Sequence, residues 1–484
     1  MKKINNILIA VTALSLLAGC SKLLDVNNPS SIYGDGFWNS SSAADSYLTG
    51  AYTSFRGCLN SLEHFESRSD AFVAGREGGM SAQWSQNLTS QNGIAWSGWY
   101  SAIQHCNLIL AKIDGLSFNQ ESHKKQIMAE AYTMRAYLFF CLTRLYGDIP
   151  LETEATLSAE KPLPSRAPAL DAIKQVLSDL DTAIDLYPTD DWAEGKSRAS
   201  KRAAYAVKAD ALLWRAKVLG GGNADLEEAI RCADFAGAKT ALESDFSKIY
   251  GSRNGSEIIW SIHYGYPEYS DSYTHFLTLR DVFVEKAVNK GDIPYAKSGA
   301  RSQYAPSPEI IAILSAYQGD VRKNNAYVEA FDASGASLGI SQCKMPGTKT
   351  ETNVIFDNDN VLYRHAEMIL FKAEAYAALG QTSQAIAQLN LVRKRAGIGD
   401  YTGPTDKPSV EKEILDERGR EFWLENKRWP DLLRFHYEGV IDVYETVPNL
   451  KARKDAGITV PLYLAITTTE LSLNDNLVQT EGYE

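Results

Sequence analysis

The stretch ESHKKQIMAEAYTMRAYLFFCLTRLYGDIP, residues 121–150, decides the fold class. Within it Ile127, Ala131, Met134, Leu138, Cys141, Leu142 and Leu145 recur at the spacing of one helix face. Gly147 and Pro150 supply the stop, the first by permitting a left-handed turn and the second by lacking a backbone donor. The spacing predicts a helix over 121–146. A helix with one apolar stripe must lay that stripe against neighbours to hide it from water.

Those neighbours are legible on both sides. Ile103, Cys106, Leu110 and Ile113 mark a helix over 101–113, and Ile173, Val176, Leu177, Leu180 and Ile184 another over 168–187. Helices over 201–219, stopped at Gly220–Gly222, and 226–242 follow. Small residues such as Ala131, Ala136, Ala209, Ala216, Ala229 and Ala233 allow close approach between them. The pairs resemble tetratricopeptide hairpins, without a strict period of about 34 residues. Helical patterning resumes over 363–379 and 383–396, then over 409–435 with an expected break at Pro430. Between these blocks, residues 251–350 are rich in Gly, Ser, Tyr, Asn and Pro, with a strand-like run at 257–262, and residues 60–95 share that character. The expected fold is mostly α: a tetratricopeptide-like scaffold over about 101–242 and 363–438, with a loop-rich ligand-binding region from about 60–95 and 251–350 packed against it.

The first residues carry an address. Lys2 and Lys3 precede an apolar run from Ile7 to Ala18, which is too short to span a bilayer and reads as a signal peptide over residues 1–19. It ends Leu17-Ala18-Gly19-Cys20, which resembles a bacterial lipobox and implies cleavage before Cys20 and acylation of that residue. Removing the leader takes the formal net charge from −11 to −13, with 47 basic residues against 60 acidic. Such a surface repels phosphate backbones and argues against a nucleic-acid partner. Five cysteines remain after Cys20, an odd number without a CxxC pair, so no disulfide framework is expected.

Four stretches resemble the SusD/RagB family of bacterial outer-membrane lipoproteins. They are Ala129–Phe140 with Arg144–Leu151, Arg364–Leu370 with Ala373–Tyr376 and Leu389–Arg393, Ile414–Phe422 with Arg428–Arg434, and Asn474–Tyr483. In the last, Asp475 and Glu481 stand where the family pattern has proline. The resemblance covers nearly all of residues 20–484. It implies a non-enzymatic protein, anchored through Cys20 to the outer membrane and exposed at the cell surface; no cofactor is expected. It also implies capture of oligosaccharides, or of peptides as the alternative, beneath a role as lid over a TonB-dependent β-barrel transporter.

Aromatic residues that stand in polar, non-periodic sequence are the candidate ligand contacts. Trp84 lies in a Gly- and Asn-rich loop with Arg76 and Asn87, and Tyr264, Tyr266, Tyr269 and Tyr273 cluster around Pro267. A sugar ring presents an apolar C–H face to an aromatic ring while its hydroxyls need planar polar partners, so these seven residues are the expected ligand-binding set. The competing reading is loop decoration, since tyrosine occurs 25 times. Trp96, Trp99 and Tyr100 precede a helix and are expected in the core. Glu417, Arg418, Arg420 and Glu421 are expected to form a structural network on a helix face, as are Arg135 and Arg144 with Asp148. Asp357-Asn358-Asp359-Asn360 lacks the Gly and distal Glu of a calcium loop and reads as a solvated turn. Seven scattered histidines form no zinc helix, and no nucleophile elbow, phosphate loop or dinucleotide fingerprint occurs. A glycoside hydrolase remains the less favoured alternative, because carboxylates are abundant.

Overall fold

The computed structural model describes residues 36–157, 162–192, 195–251, 253–267, 272–297, 299–351 and 353–483. The signal peptide and Cys20 therefore lie outside the described residues. Helix α1 (Ser41–Cys58) starts where Ser40 is extended and its hydroxyl accepts the Ala43 N–H, and it buries Tyr47, Leu48, Ala51 and Phe55 along one face. α2 (Ser97–Lys112) and α3 (Glu121–Tyr146) pack beside it. α3 ends at Gly147, whose φ of 73° suits a residue without Cβ. α4 (Ala169–Leu186), α5 (Lys201–Val218) and α6 (Asn223–Gly237) complete the first helical block by packing α3 on α4 and α5 on α6. Trp96 and Trp99 are buried, as their helical spacing predicts.

The irregular region is tied together by short strands. β1 (Phe72–Ala74) pairs antiparallel with β3 (Tyr304–Pro306), and β2 (Ile258–Ile262) pairs antiparallel with β6 (Asn360–Arg364). Between β3 and β6, β4 (Tyr327–Phe331) and β5 (Ser337–Gln342) form an antiparallel hairpin. Helix α7 (Pro308–Leu314) opens with Ser307 as its cap. Phe72, Tyr273, Tyr304 and Trp423 share a smaller apolar core beneath this region.

Helices α8 (His365–Ala378), α9 (Thr382–Arg395) and α10 (Lys407–Phe422) form the second block, packing onto one another and onto α6. The expected break at Pro430 falls elsewhere. α11 (Arg428–Tyr437) begins two residues before Pro430, where a missing N–H costs nothing because the first turn has no intrahelical partner for it. The chain instead breaks at Trp423–Lys427, with Leu424 and Asn426 at φ 71° and 58°. Buried Glu66 stabilises that turn by accepting the N–H groups of Leu424 at 2.9 Å, Lys427 at 3.1 Å and Arg428 at 3.2 Å.

The charges of α10 face inward. Arg322, itself fully buried, meets Glu417 at 2.7 Å and Glu421 at 3.0 Å. Arg364 reaches Glu257 at 2.5 Å and Glu421 at 2.6 Å through one nitrogen, and Glu425 at 2.9 Å through another. Arg418 pairs with Asp431, and Arg434 with Glu374. This is the structural network expected of the cluster. Arg135 and Arg144, however, pair with Asp179 and Asp210 rather than with Asp148, which instead accepts the Ala169 N–H at the start of α4. Each guanidinium is desolvated, so its carboxylates must be held in register to offset the loss of water.

Candidate functional site

The site is set by how β2 meets the helices. Trp260 on β2 stacks on Phe55 of α1, with ring centroids 5.4 Å apart and planes 18° apart, and meets Tyr137 of α3 edge-on. Such aromatic pairs contribute about 0.5–1.5 kcal/mol each beyond simple burial. They bring the end of β2 against the C-terminal half of α1. On its other side the Ser261 N–H donates to the Lys196 carbonyl at 2.9 Å, which draws residues 196–198 alongside.

A recess of about 170 Å³ opens between these segments. Tyr52, Phe55 and Ile262 supply apolar surface, and Arg56, Arg198 and His263 supply polar groups. Buried Glu130 organises the wall. It accepts the Tyr52 hydroxyl at 2.6 Å and holds the Arg198 guanidinium through both oxygens at 2.8 and 3.0 Å. Burial, and then the neighbouring Glu130 charge, lifts the Tyr52 phenol well above its ordinary range, so it stays neutral. Arg56 lies 5.9 Å from the Tyr264 ring and reaches toward the His263 carbonyl. His263 Nδ1 and Asp359 Oδ1 are hydrogen-bonded at 3.0 Å, and the same oxygen accepts the Tyr264 N–H at 2.9 Å. The nearby Lys196 ammonium donates to the Gly255 carbonyl, and its burial pushes its pKa down to about 8.

The seven expected contacts are dispersed. Tyr264 and Tyr273 are 3 % and 2 % exposed, so both are packing residues rather than an open ligand surface. The correction has a physical cause. Tyr273 belongs to the small apolar core, and its hydroxyl donates to the Leu424 carbonyl at 3.0 Å. Trp84 is half-buried against the same core, and its indole N–H is engaged by the Phe72 carbonyl at 2.8 Å. Arg76 is exposed with its guanidinium 5.5 Å from the Phe283 ring, and Asn87 is exposed elsewhere on that loop. Tyr266 is 64 % exposed and follows His263 and Tyr264 out of β2. Tyr269 lies outside the described residues. The two loop-rich stretches do meet, at β1 and β3, through Glu77 with Ser302, and at Tyr273, whose N–H donates to Asn60 Oδ1 at 3.0 Å. The residues missed were those of α1. Tyr47, Leu48, Ala51 and Phe55 repeat at helical spacing after Ser40, a signal sufficient to place Tyr52 and Arg56 on a helix.

The helical scaffold thus presents a recess rimmed by Arg56 and Arg198. Two family profiles match the chain: the SusD family over residues 315–483, and a family described as starch-binding and associating with the outer membrane over residues 22–213. SusD-like protein P38 of Formosa agariphila is 27 % identical over 481 residues, covering 90 % of this chain and 92 % of that protein. Starch-binding protein SusD of Bacteroides thetaiotaomicron is 33 % identical over a shorter stretch of 159 residues, 31 % of this chain and 27 % of its own. Among solved structures, NanU of B. fragilis superposes with a TM-score of 0.80 at 25 % identity, covering 94 % of this chain and 99 % of NanU. A SusD superfamily protein from Bacteroides vulgatus superposes at 0.77 with 24 % identity, over 91 % of this chain and 99 % of its own. The chain belongs to the SusD/RagB family, whose members are binding proteins associated with the outer membrane. No helix among the described residues is long and apolar enough to cross a membrane.

Proposed function

We propose that this protein is a surface lipoprotein that captures an oligosaccharide, leaves it chemically unaltered and delivers it to a TonB-dependent β-barrel transporter. The observation that carries the reading is the recess beside β2. Its partly exposed Tyr52 ring suits the C–H face of a sugar ring, and the guanidinium groups of Arg56 and Arg198 suit its hydroxyls. Tyr266 stands exposed just beyond and offers a second ring. Arg76, Asn87 and Trp84 form a separate stretch, on the segment that joins β1 to α2. Acylation of Cys20 accounts for retention at a membrane by a chain that has no spanning helix among its described residues.

Calorimetry against a panel of soluble glycans tests the capture step. Binding without released product supports the reading; turnover, or binding of peptides alone, overturns it. Loss of membrane retention in Cys20→Ala cells tests the anchor, and co-purification with a β-barrel from native membranes tests the partner.

A further inference from the structure

A second recess, with about 130 Å³ of space, shares Ser261 with the first. It is walled by Tyr250, Arg253 and Thr348 and floored by Asp357, Asn358 and Asp359. That space holds several water molecules, enough for one hydroxyl-bearing edge of a sugar.

The chemistry of the floor is one-sided. Asn358 is 7 % exposed, and its Nδ2 donates to the Tyr250 carbonyl at 3.1 Å. Its Oδ1 is buried and has no hydrogen-bond partner. Native interiors rarely leave such an acceptor unmatched, because losing water without replacing it is costly. Asp357 receives the Thr348 N–H and hydroxyl, both at 2.8 Å, one on each oxygen. Asp359 receives the His263 ring, the Tyr264 N–H and, at 3.4 Å, the Ser261 hydroxyl. A carboxylate has about four acceptor positions, so both retain capacity. The floor is therefore rich in acceptors, while the Arg253 guanidinium on the wall donates to the Tyr264 carbonyl at 3.1 Å. Among the described residues no group of three acidic, His or Cys side chains is arranged to hold a metal. Sugar hydroxyls are neutral donors that fit such a floor.

We propose that this recess is a second sugar subsite, in which Asn358 Oδ1 and the flanking carboxylates of Asp357 and Asp359 accept hydrogen bonds from the free hydroxyl edge of one unit of a glycan. The neighbouring unit lies beyond Ser261 against Tyr52. The inference rests on the glycan-capture reading and adds a selectivity to it: units whose hydroxyls are methylated or acylated are refused, because they can no longer donate.

The test uses the full mature chain and the glycan panel with, for each glycan that binds, its O-methylated counterpart. Asp357→Ala and Asn358→Leu should each weaken the unmodified oligosaccharide about tenfold, and O-methylation should weaken wild-type binding by at least as much. Asn358→Leu disturbs a buried bond, so Asp357→Ala, at a partly exposed turn, decides the matter if the first variant does not fold. If Arg56→Ala weakens binding while Asp357→Ala and O-methylation change nothing, this subsite is wrong and the capture reading stands. If no glycan binds, or Arg56→Ala has no effect, the capture reading falls and this inference with it.

Discussion

Asp70 and Arg428, 358 positions apart, are joined by two parallel hydrogen bonds of 2.8 and 2.7 Å, with both side chains at most 4 % exposed. The pair fastens the loop-rich N-terminal stretch to the first turn of α11. A buried pair of this kind adds little over an apolar substitute, but removing one member strands the other charge. Asp70→Ala should therefore cost about 3–5 kcal/mol. Urea denaturation followed by tryptophan fluorescence measures it, and an unchanged midpoint would contradict the role.

Tyr266 offers the cleanest separation of binding from folding. Its ring is 64 % exposed, so Tyr266→Ala should leave the melting temperature within the range of a surface change, about 0.5 kcal/mol. Affinity for the captured glycan should fall severalfold. Titration of both proteins with the same oligosaccharide decides, and equal affinities would remove Tyr266 from the site.

Acid should destabilise the protein through those buried carboxylates that neighbouring cations hold ionised. Burial alone would raise the Glu425 carboxyl, but Arg364 and Lys344 override it and hold it down at about 2. The same balance lowers Glu417 and Glu421. With a depressed folded-state value, the unfolded chain takes up the proton first as pH falls. The stabilisation from Glu425 is thus complete above about pH 4.5 and lost as pH falls toward 2, a change of roughly 3 kcal/mol. Melting curves at pH 7, 4.5, 3 and 2 should show most of the drop below 4.5, and a decline completed between 7 and 5 would refute the assignment.

The thiols should be inert until the fold opens. Cys58, Cys106, Cys141 and Cys232 are buried, and burial pushes Cys58, Cys106, Cys232 and Cys343 up to about 12. A thiol-reactive dye at pH 8 should label the native protein slowly, with Cys343 first because it is only partly covered. Rapid native labelling of Cys106 would show that α2 opens readily.

Sequence alone carried the scaffold well, because helix periodicity is a local property. Residues 121–146 read as one helix and form one, since its apolar stripe and Gly147 act within a few turns of chain. Pro430 misled because the same residue breaks a helix interior yet suits a first turn, and only Glu66, drawn in from more than 350 positions away, sets where that turn begins. The candidate site was less legible for the same reason. Tyr264 and Tyr273 sit in polar, aperiodic sequence, but their burial depends on Asn60, Leu424 and Asp359, which only the folded chain brings together.

The inward-facing charges of α10 have a consequence for the medium in which the protein works. Mobile ions weaken attraction between charges they can surround, and they cannot surround Arg322, Arg364 or Arg434. Exposed pairs such as Lys454 with Glu445 will fade in concentrated brine, while the interior lattice keeps its full strength. The molecule should hold its shape across wide swings of salinity.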